Sequence, residues 1–104
     1  MNEPLVTPWA DPAAPTQTML WQLMAEEGLN PYSWSNGPRD IYSAHSHSYN
    51  KVIYVVQGSI TFGLPELGKK LTLKAGDRLD LPASVVHDAQ VGAQGVVCLE
   101  AHKN

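Results

Sequence analysis

The sequence has few charges and no large basic cluster, and both shortages exclude classes of protein. Charged residues make up 16% of its 104 residues, below the roughly 25% of an average soluble domain. The hydrophobic share of 43% predicts one packed domain rather than a disordered chain. The net charge is -3, and no run of Lys or Arg exceeds the pair Lys69-Lys70. Nucleic acid, which requires a basic surface, is therefore not an expected partner.

Long apolar runs and paired cysteines are also missing. No stretch reaches the ~18 consecutive apolar residues of a membrane-spanning helix, and residues 1–10 lack the basic start and apolar centre of a signal peptide. Cys98 is the only cysteine, so no intramolecular disulfide can form. We therefore expect no membrane partner and a cytoplasmic location, with Cys98 as a small buried hydrophobic residue.

Proline is concentrated at the start of the chain. Four of the eight prolines lie within residues 1–15, which excludes a helix there and predicts an extended arm. Leu5, Val6 and Trp9 make this arm more apolar than a free tail needs to be. We expect the arm to pack on this subunit or on a neighbouring one.

A short helix is predicted directly after the arm. Leu20, Leu23 and Met24 stand at i, i+3, i+4 spacing, and the pattern begins at Thr16 and ends at Gly28. Two glutamates lie near its C-terminal end, which the helix dipole disfavours. Packing must therefore stabilise this helix of about three turns. Residues 1–30 are assigned to the arm and helix.

From residue 31 onward the pattern is one of strands and turns. The fold class is therefore predicted to be all-β, and the short spacing of the strands favours a sandwich or small barrel. Residues 31–104 are assigned to this barrel, within a single domain overall. The predicted strands are 32–35, 41–57 (as one strand or two joined strands), 59–64, 70–74, 79–81, 85–91 and 96–101.

Three of the four histidines fall within these segments. Residues two apart on a strand face the same side, so His45 and His47 would project their imidazoles together, as a metal chelate requires. A third imidazole from another strand, His87, would complete one face of a metal site and leave positions open for water or substrate. The alternative is a set of surface or core histidines with no shared role.

The residues around these histidines resemble the two motifs of the cupin superfamily. The first reads His45-Ser-His47-Ser-Tyr-Asn-Lys51 and is followed by Gly58; the second reads Gly76-Asp77-Arg-Leu-Asp-Leu-Pro82-Ala-Ser-Val-Val-His87. This resemblance covers residues of about 40 to 101. It implies a cupin double-stranded β-helix, which is a jelly-roll barrel, with His45, His47 and His87 as ligands of one divalent metal. Zn, Fe, Ni, Mn and Cu all accept imidazole ligands, so the metal stays unnamed.

Lys51 occupies the position of a glutamate ligand in the cupin motif. A regular strand would place it on the same face as His45, His47 and Tyr49. An ammonium ~5 Å from a divalent ion is repelled by roughly 6 kcal/mol at an effective dielectric of about 20. Loss of the proton, movement to the barrel mouth, an intervening anion or absence of the metal would relieve this repulsion. The alternative is a surface lysine on a strand that twists outward.

Three functions are compatible with these residues. The first is a metal-dependent dioxygenase, isomerase or lyase acting on a small anionic or oxygen-rich molecule. In this enzyme Lys51 would be an electrostatic clamp or base, and Tyr49 a hydrogen-bond donor. The second is a binding module that senses or stores a small molecule without turnover. The third is a structural dimer whose barrel is filled by side chains.

A homodimer is expected in each case. A chain of this size buries a modest fraction of its surface, and the apolar residues of the arm need a partner surface. Exchange of arms or edge strands between two copies would provide one.

Overall fold

Seven strands and one helix make up residues 3–103, the part of the chain that this computed structural model describes. They are β1 (Leu5–Thr7), α1 (Gln17–Glu26), β2 (Tyr32–Asn36), β3 (Ile41–His45), β4 (Asn50–Leu64), β5 (Lys69–Lys74), β6 (Arg78–Leu81) and β7 (His87–Lys103). No helix within residues 3–103 combines the length and the apolar character needed to cross a membrane.

The two long strands β4 and β7 organise the barrel. They pair antiparallel from Asn50↔Lys103 to Gly63↔Asp88. The other strands pair along parts of them: β6 and β5 with the two halves of β4, and β3 and β2 with the two halves of β7. Every pair is antiparallel, and the predicted all-β jelly-roll barrel is confirmed.

The barrel interior is packed with branched aliphatic side chains from alternating strand positions. This alternation arises because successive residues of a strand face opposite sides of the sheet. The buried cluster contains Ile53, Val55, Ile60, Phe62, Leu73, Leu79, Leu81, Ala89, Val91, Val96 and Cys98. Cys98 is fully buried, as predicted, and burial raises the pKa of its thiol to about 12. The thiol therefore stays protonated at neutral pH.

The segment 41–57 contains two strands, in agreement with the second of the two predicted alternatives. Two predicted strand boundaries were wrong, because β4 continues through Gly58 and β7 continues from His87 to Lys103. The glycines Gly58 and Gly95 have φ values of +82° and +78°. The register between β4 and β7 shifts on both sides of Gly58. These glycines therefore bend the strands as bulges instead of ending them in turns.

The N-terminal arm packs on its own chain. Its strand β1 pairs antiparallel with β6, with Leu5 opposite Asp80. Farther along, the backbone N–H of Trp9 donates to Asp77 Oδ1 at 3.0 Å, and the Trp9 ring packs against the buried side chains under α1. Leu5 nevertheless stays 58% exposed.

Helix α1 begins and ends where the sequence predicted. Thr16 is its N-cap, whose hydroxyl accepts a hydrogen bond from the Met19 N–H at 3.2 Å. Gly28, at φ +77°, follows its last turn and donates to the Ala25 carbonyl. Leu20 and Met24 are buried against β4 and β7, but Leu23 is 38% exposed.

Arg78 compensates the acidic end of α1. Its Nη2 donates to Glu27 Oε1 at 3.0 Å, and its Nε donates to Asp80 Oδ2 at 3.0 Å. The hydrogen bond from Arg78 lowers the pKa of Glu27. A carboxylate that the helix dipole disfavours is therefore held by a cation on β6.

Candidate metal centre

Two of the three predicted histidines face each other across neighbouring strands. His45 is the last residue of β3 and His87 the first of β7, and their Cα atoms are register partners. Directly opposed residues of an antiparallel pair project their side chains to the same face. The two ring centroids accordingly lie 4.4 Å apart.

His47 joins the other two histidines from a loop, so the prediction that it lies on a strand was wrong. It follows β3, in the break before β4. Its carbonyl accepts a hydrogen bond from the Ser84 N–H at 2.7 Å, which fastens this loop to the one leading into β7. The His47 ring centroid lies 4.8 Å from that of His45 and 5.3 Å from that of His87.

Each histidine of the cluster can offer the lone pair of one ring nitrogen to an ion. One possible ligand atom from each residue lies within 4.8 Å of the other two. His45 Nδ1 is 2.6 Å from the Ser43 carbonyl and His87 Nδ1 is 3.0 Å from the Val85 carbonyl. Because a carbonyl only accepts, each Nδ1 carries the proton and each Nε2 keeps its lone pair.

The Nε2 atom of His47 lacks a hydrogen-bond partner, which is independent support for an ion site. This atom is buried without a hydrogen bond, and no other buried side-chain nitrogen or oxygen is left so within residues 3–103. A buried polar atom without a partner is costly. Neutral nitrogen donors in this arrangement fit a divalent transition metal.

Burial keeps two of these imidazoles neutral. Loss of solvation lowers the pKa of His47 and of His87, and the Lys51 ammonium and the neighbouring histidines lower both further. A neutral imidazole is the form that binds a metal. At neutral pH these two rings are therefore ready to act as ligands.

A cavity of about 290 Å³ lies beside the histidines. Polar and apolar side chains both line it: Tyr32, Trp34, Tyr42, His45, His47, Lys51, Ile53, Ile60, Phe62, His87, Ala89 and Glu100. A barrel with no cavity beside His47 would favour a purely structural role, and the structure has a cavity there.

Lys51 faces this cavity and is paired with a carboxylate that the sequence interpretation missed. Its Nζ lies 3.2 Å from Glu100 Oε2, and the two side chains are only 10% and 6% exposed. The alternative of an outward-facing surface lysine is thereby contradicted. An anion does relieve the charge of Lys51, but it comes from the chain itself.

Glu100 is fixed by two further donors. The Tyr32 hydroxyl donates to its Oε2 at 2.5 Å, and the Trp34 indole Nε1 donates to its Oε1 at 3.1 Å. Burial and the hydrogen bond to Glu100 raise the pKa of Tyr32, so this phenol keeps its proton. One signal could have revealed Glu100: it is the only charged residue in the otherwise apolar segment 96–101.

Tyr49 lies beside the centre but does not line the cavity. Its ring stacks on His102 with centroids 3.7 Å apart, and it lies 5.2 Å from the His47 ring. His102 is exposed and lies outside the three-histidine cluster.

Solved structures with this fold include several cupins. A DUF861 family protein from Thermotoga maritima is similar at 18% identity and a TM-score of 0.64, covering 97% of this chain and 100% of that one. An RmlC-like cupin from Shewanella frigidimarina is similar at 24% identity and a TM-score of 0.61, over 71% of this chain and 64% of that one. A DMSP lyase is similar at 24% identity and a TM-score of 0.66, over 73% of this chain and 38% of that one.

These similarities show that the chain has the cupin double-stranded β-helix fold. At this level of identity they show the fold alone, because one fold hosts many activities. No family model and no curated protein matches the sequence.

Proposed function

We propose that His45, His47 and His87 bind one divalent transition metal, and that the adjoining cavity holds a small anionic or oxygen-rich molecule on which the metal acts. The carrying observation is the convergence of three imidazoles on one point, with the buried His47 Nε2 lacking any partner. The cupin fold supports the proposal, since structures with this fold include a DMSP lyase.

The charges around the cavity favour an anion. The Lys51 ammonium and the Glu100 carboxylate cancel each other, and neutral imidazoles bring no charge of their own. A bound divalent ion would therefore keep its full charge in a site of reduced dielectric, where an anionic ligand is attracted most strongly.

The residues of the chain divide the work at this site. A divalent metal held by His45, His47 and His87 would supply Lewis acidity toward an oxygen of the ligand. Lys51 orients a negative group, and the apolar lining excludes water. Tyr49 lies beside the His47 ring but outside the cavity lining, so it would donate a hydrogen bond only to a ligand group outside the cavity. Dioxygenation, isomerisation and lyase chemistry are all compatible with these roles.

Elemental analysis of the untagged protein tests the metal site. The wild type is expected to carry a near-stoichiometric transition metal, and His47→Ala is expected to lose it, because removing one of three ligands abolishes the chelate. His102→Ala is the matched control, since this exposed histidine lies outside the cluster. Equal metal in both variants, or none in the wild type after reconstitution, would contradict the proposal.

A second candidate function is a binding module without turnover. It is favoured by the mutual neutralisation of Lys51 and Glu100, which ties up the lysine that would otherwise be the base. The two candidates differ in what is recovered after incubation with metal-loaded protein. An altered ligand indicates an enzyme, whereas an unaltered ligand that raises the melting temperature indicates a sensor or store.

We further propose a homodimer. Large apolar side chains stay exposed on several elements: Leu5 (58%), Trp21 (41%), Leu23 (38%) and Ile41 (74%). Contact with a second copy would remove such groups from water. Sedimentation is expected to show about twice the 11.3 kDa mass of one chain, and a species of single-chain mass would contradict the dimer.

The remaining proposals concern the partners of the protein and its location in the cell. A small molecule is the proposed partner, and neither nucleic acid nor a membrane is one. The cytoplasm is the proposed location, supported by Cys98, which is a buried free thiol. Cell fractionation with an antibody against the protein tests the location directly.

A further inference from the structure

The Lys51 ammonium has more donors than its ion pair uses. An ammonium carries three N–H groups, and the ion pair with Glu100 Oε2 at 3.2 Å needs at most one of them. No other residue in the described part of the chain makes a hydrogen bond or ion pair with Lys51 Nζ. Since Lys51 lines the same cavity as the three histidines, its remaining donors are available to a ligand there.

The position of this ammonium is fixed from behind. Glu100 also accepts hydrogen bonds from Tyr32 and Trp34, which hold its carboxylate on two sides. A donor that is already immobilised binds its partner with little loss of conformational entropy. Lys51 therefore resembles a built anchoring group rather than a mobile surface lysine.

The cavity that Lys51 shares with the histidines also has an apolar lining. Ile53, Ile60, Phe62 and Ala89 line it together with the histidines and the Lys51–Glu100 pair. A volume of about 290 Å³ corresponds to about ten water molecules at ~30 Å³ each. A matching ligand is small, with oxygen atoms at two ends and a short carbon skeleton between them.

We propose that Lys51 is a second anchoring point and that the ligand is a short dicarboxylic acid, held by the histidine-bound metal at one end and by Lys51 at the other. This inference rests on the proposed function. Charge supports it: with Lys51 and Glu100 cancelling each other, two carboxylates match the two charges of the metal.

Titration calorimetry with malonate and propionate tests the second anchor. Both acids have three carbons, and malonate differs by its second carboxylate. Zinc-loaded wild type is expected to bind malonate at least about tenfold more tightly than propionate, because a hydrogen bond to a charged group carries that effect. Lys51→Met combined with Glu100→Gln should lower the preference at least about fivefold without changing the net charge of the site; the part that remains is chelation of zinc by both carboxylates. Lys51→Arg should keep part of it.

Lys69→Met is the control for removing a lysine, because the Lys69 side chain is 60% exposed. A preference for malonate that is unchanged in the double variant would overturn the inference. Failure of the wild type to take up zinc would overturn the proposed function instead. In that case the role of Lys51 is tested on chelator-treated, metal-free protein. Malonate should bind the double variant more weakly than the wild type, whereas Lys69→Met should bind it as the wild type does.

If the double variant does not fold, the contact between malonate and Lys51 can be tested on the wild-type protein. Malonate is expected to shift the carbon-13 signal of the Lys51 ε-methylene, assigned by its loss in Lys51→Arg. A signal that malonate leaves unchanged would contradict the contact.

Discussion

Replacing Glu100 with alanine is expected to lower the free energy of unfolding by about 3–5 kcal/mol, because the substitution leaves a buried ammonium without its counterion. The Lys51 side chain is only 10% exposed, so water replaces the lost carboxylate incompletely. Tyr32 and Trp34 also lose their acceptor. The total free energy of unfolding of a small domain is about 5–15 kcal/mol. The variant should therefore be close to unfolding at room temperature.

Urea denaturation of chelator-treated protein measures this loss without a contribution from bound metal. Glu3→Ala is the matched control, because Glu3 and its partner Lys69 are 68% and 60% exposed. The control should lie within about 1 kcal/mol of the wild type. Adding Lys51→Met to Glu100→Ala should restore most of the stability. A loss no larger than that of Glu3→Ala, or no recovery in the double variant, would show that the pair is not buried as described.

Gly58→Ala is expected to destabilise the barrel by at least about 3 kcal/mol, through strain and collision together. Gly58 has a φ of +82°, which L-amino acids disfavour. A Cβ built there would lie 2.0 Å from the carbonyl oxygen of Gly95. This oxygen belongs to the backbone of β7, so β4 and β7 would have to separate at their shared bulge.

Gly28→Ala is the control that measures the conformational strain without a collision. Gly28 has a similar φ of +77°, but no atom lies within 4 Å of a Cβ built there. This control should cost only the conformational strain, about 1–2 kcal/mol. Thermal melting of both variants gives the comparison. Equal losses would show that β7 yields at Gly95 and that the close approach is not rigid.

The helix and the class of fold were predictable because local rules decide them. A capping residue at Thr16, apolar residues on one helical face and a glycine at position 28 set the limits of α1 locally, although its stability depends on packing. Alternating strands after residue 31 and the two cupin-like motifs likewise predicted the barrel that the structure shows.

Strand boundaries were less predictable, because a glycine has two meanings in a β-rich chain. Gly58 and Gly95 could end strands in turns or bend them as bulges, and only the partner strand selects between these. In the structure β4 and β7 pair on both sides of this region, at Gly58↔Val96 and at Ile60↔Val91, while residues 92–95 have no partner on β4.

The sequence alone determined that His45, His47 and His87 were candidates for one site, since the motif spacing places them in two segments that the cupin barrel brings together. Tertiary structure alone decided how the cluster forms, by pairing His45 with His87 and returning His47 on a loop. It also decided the state of Lys51. Glu100 lies 49 positions away in the chain, and only the antiparallel pairing of β4 with β7 brings its carboxylate to that ammonium.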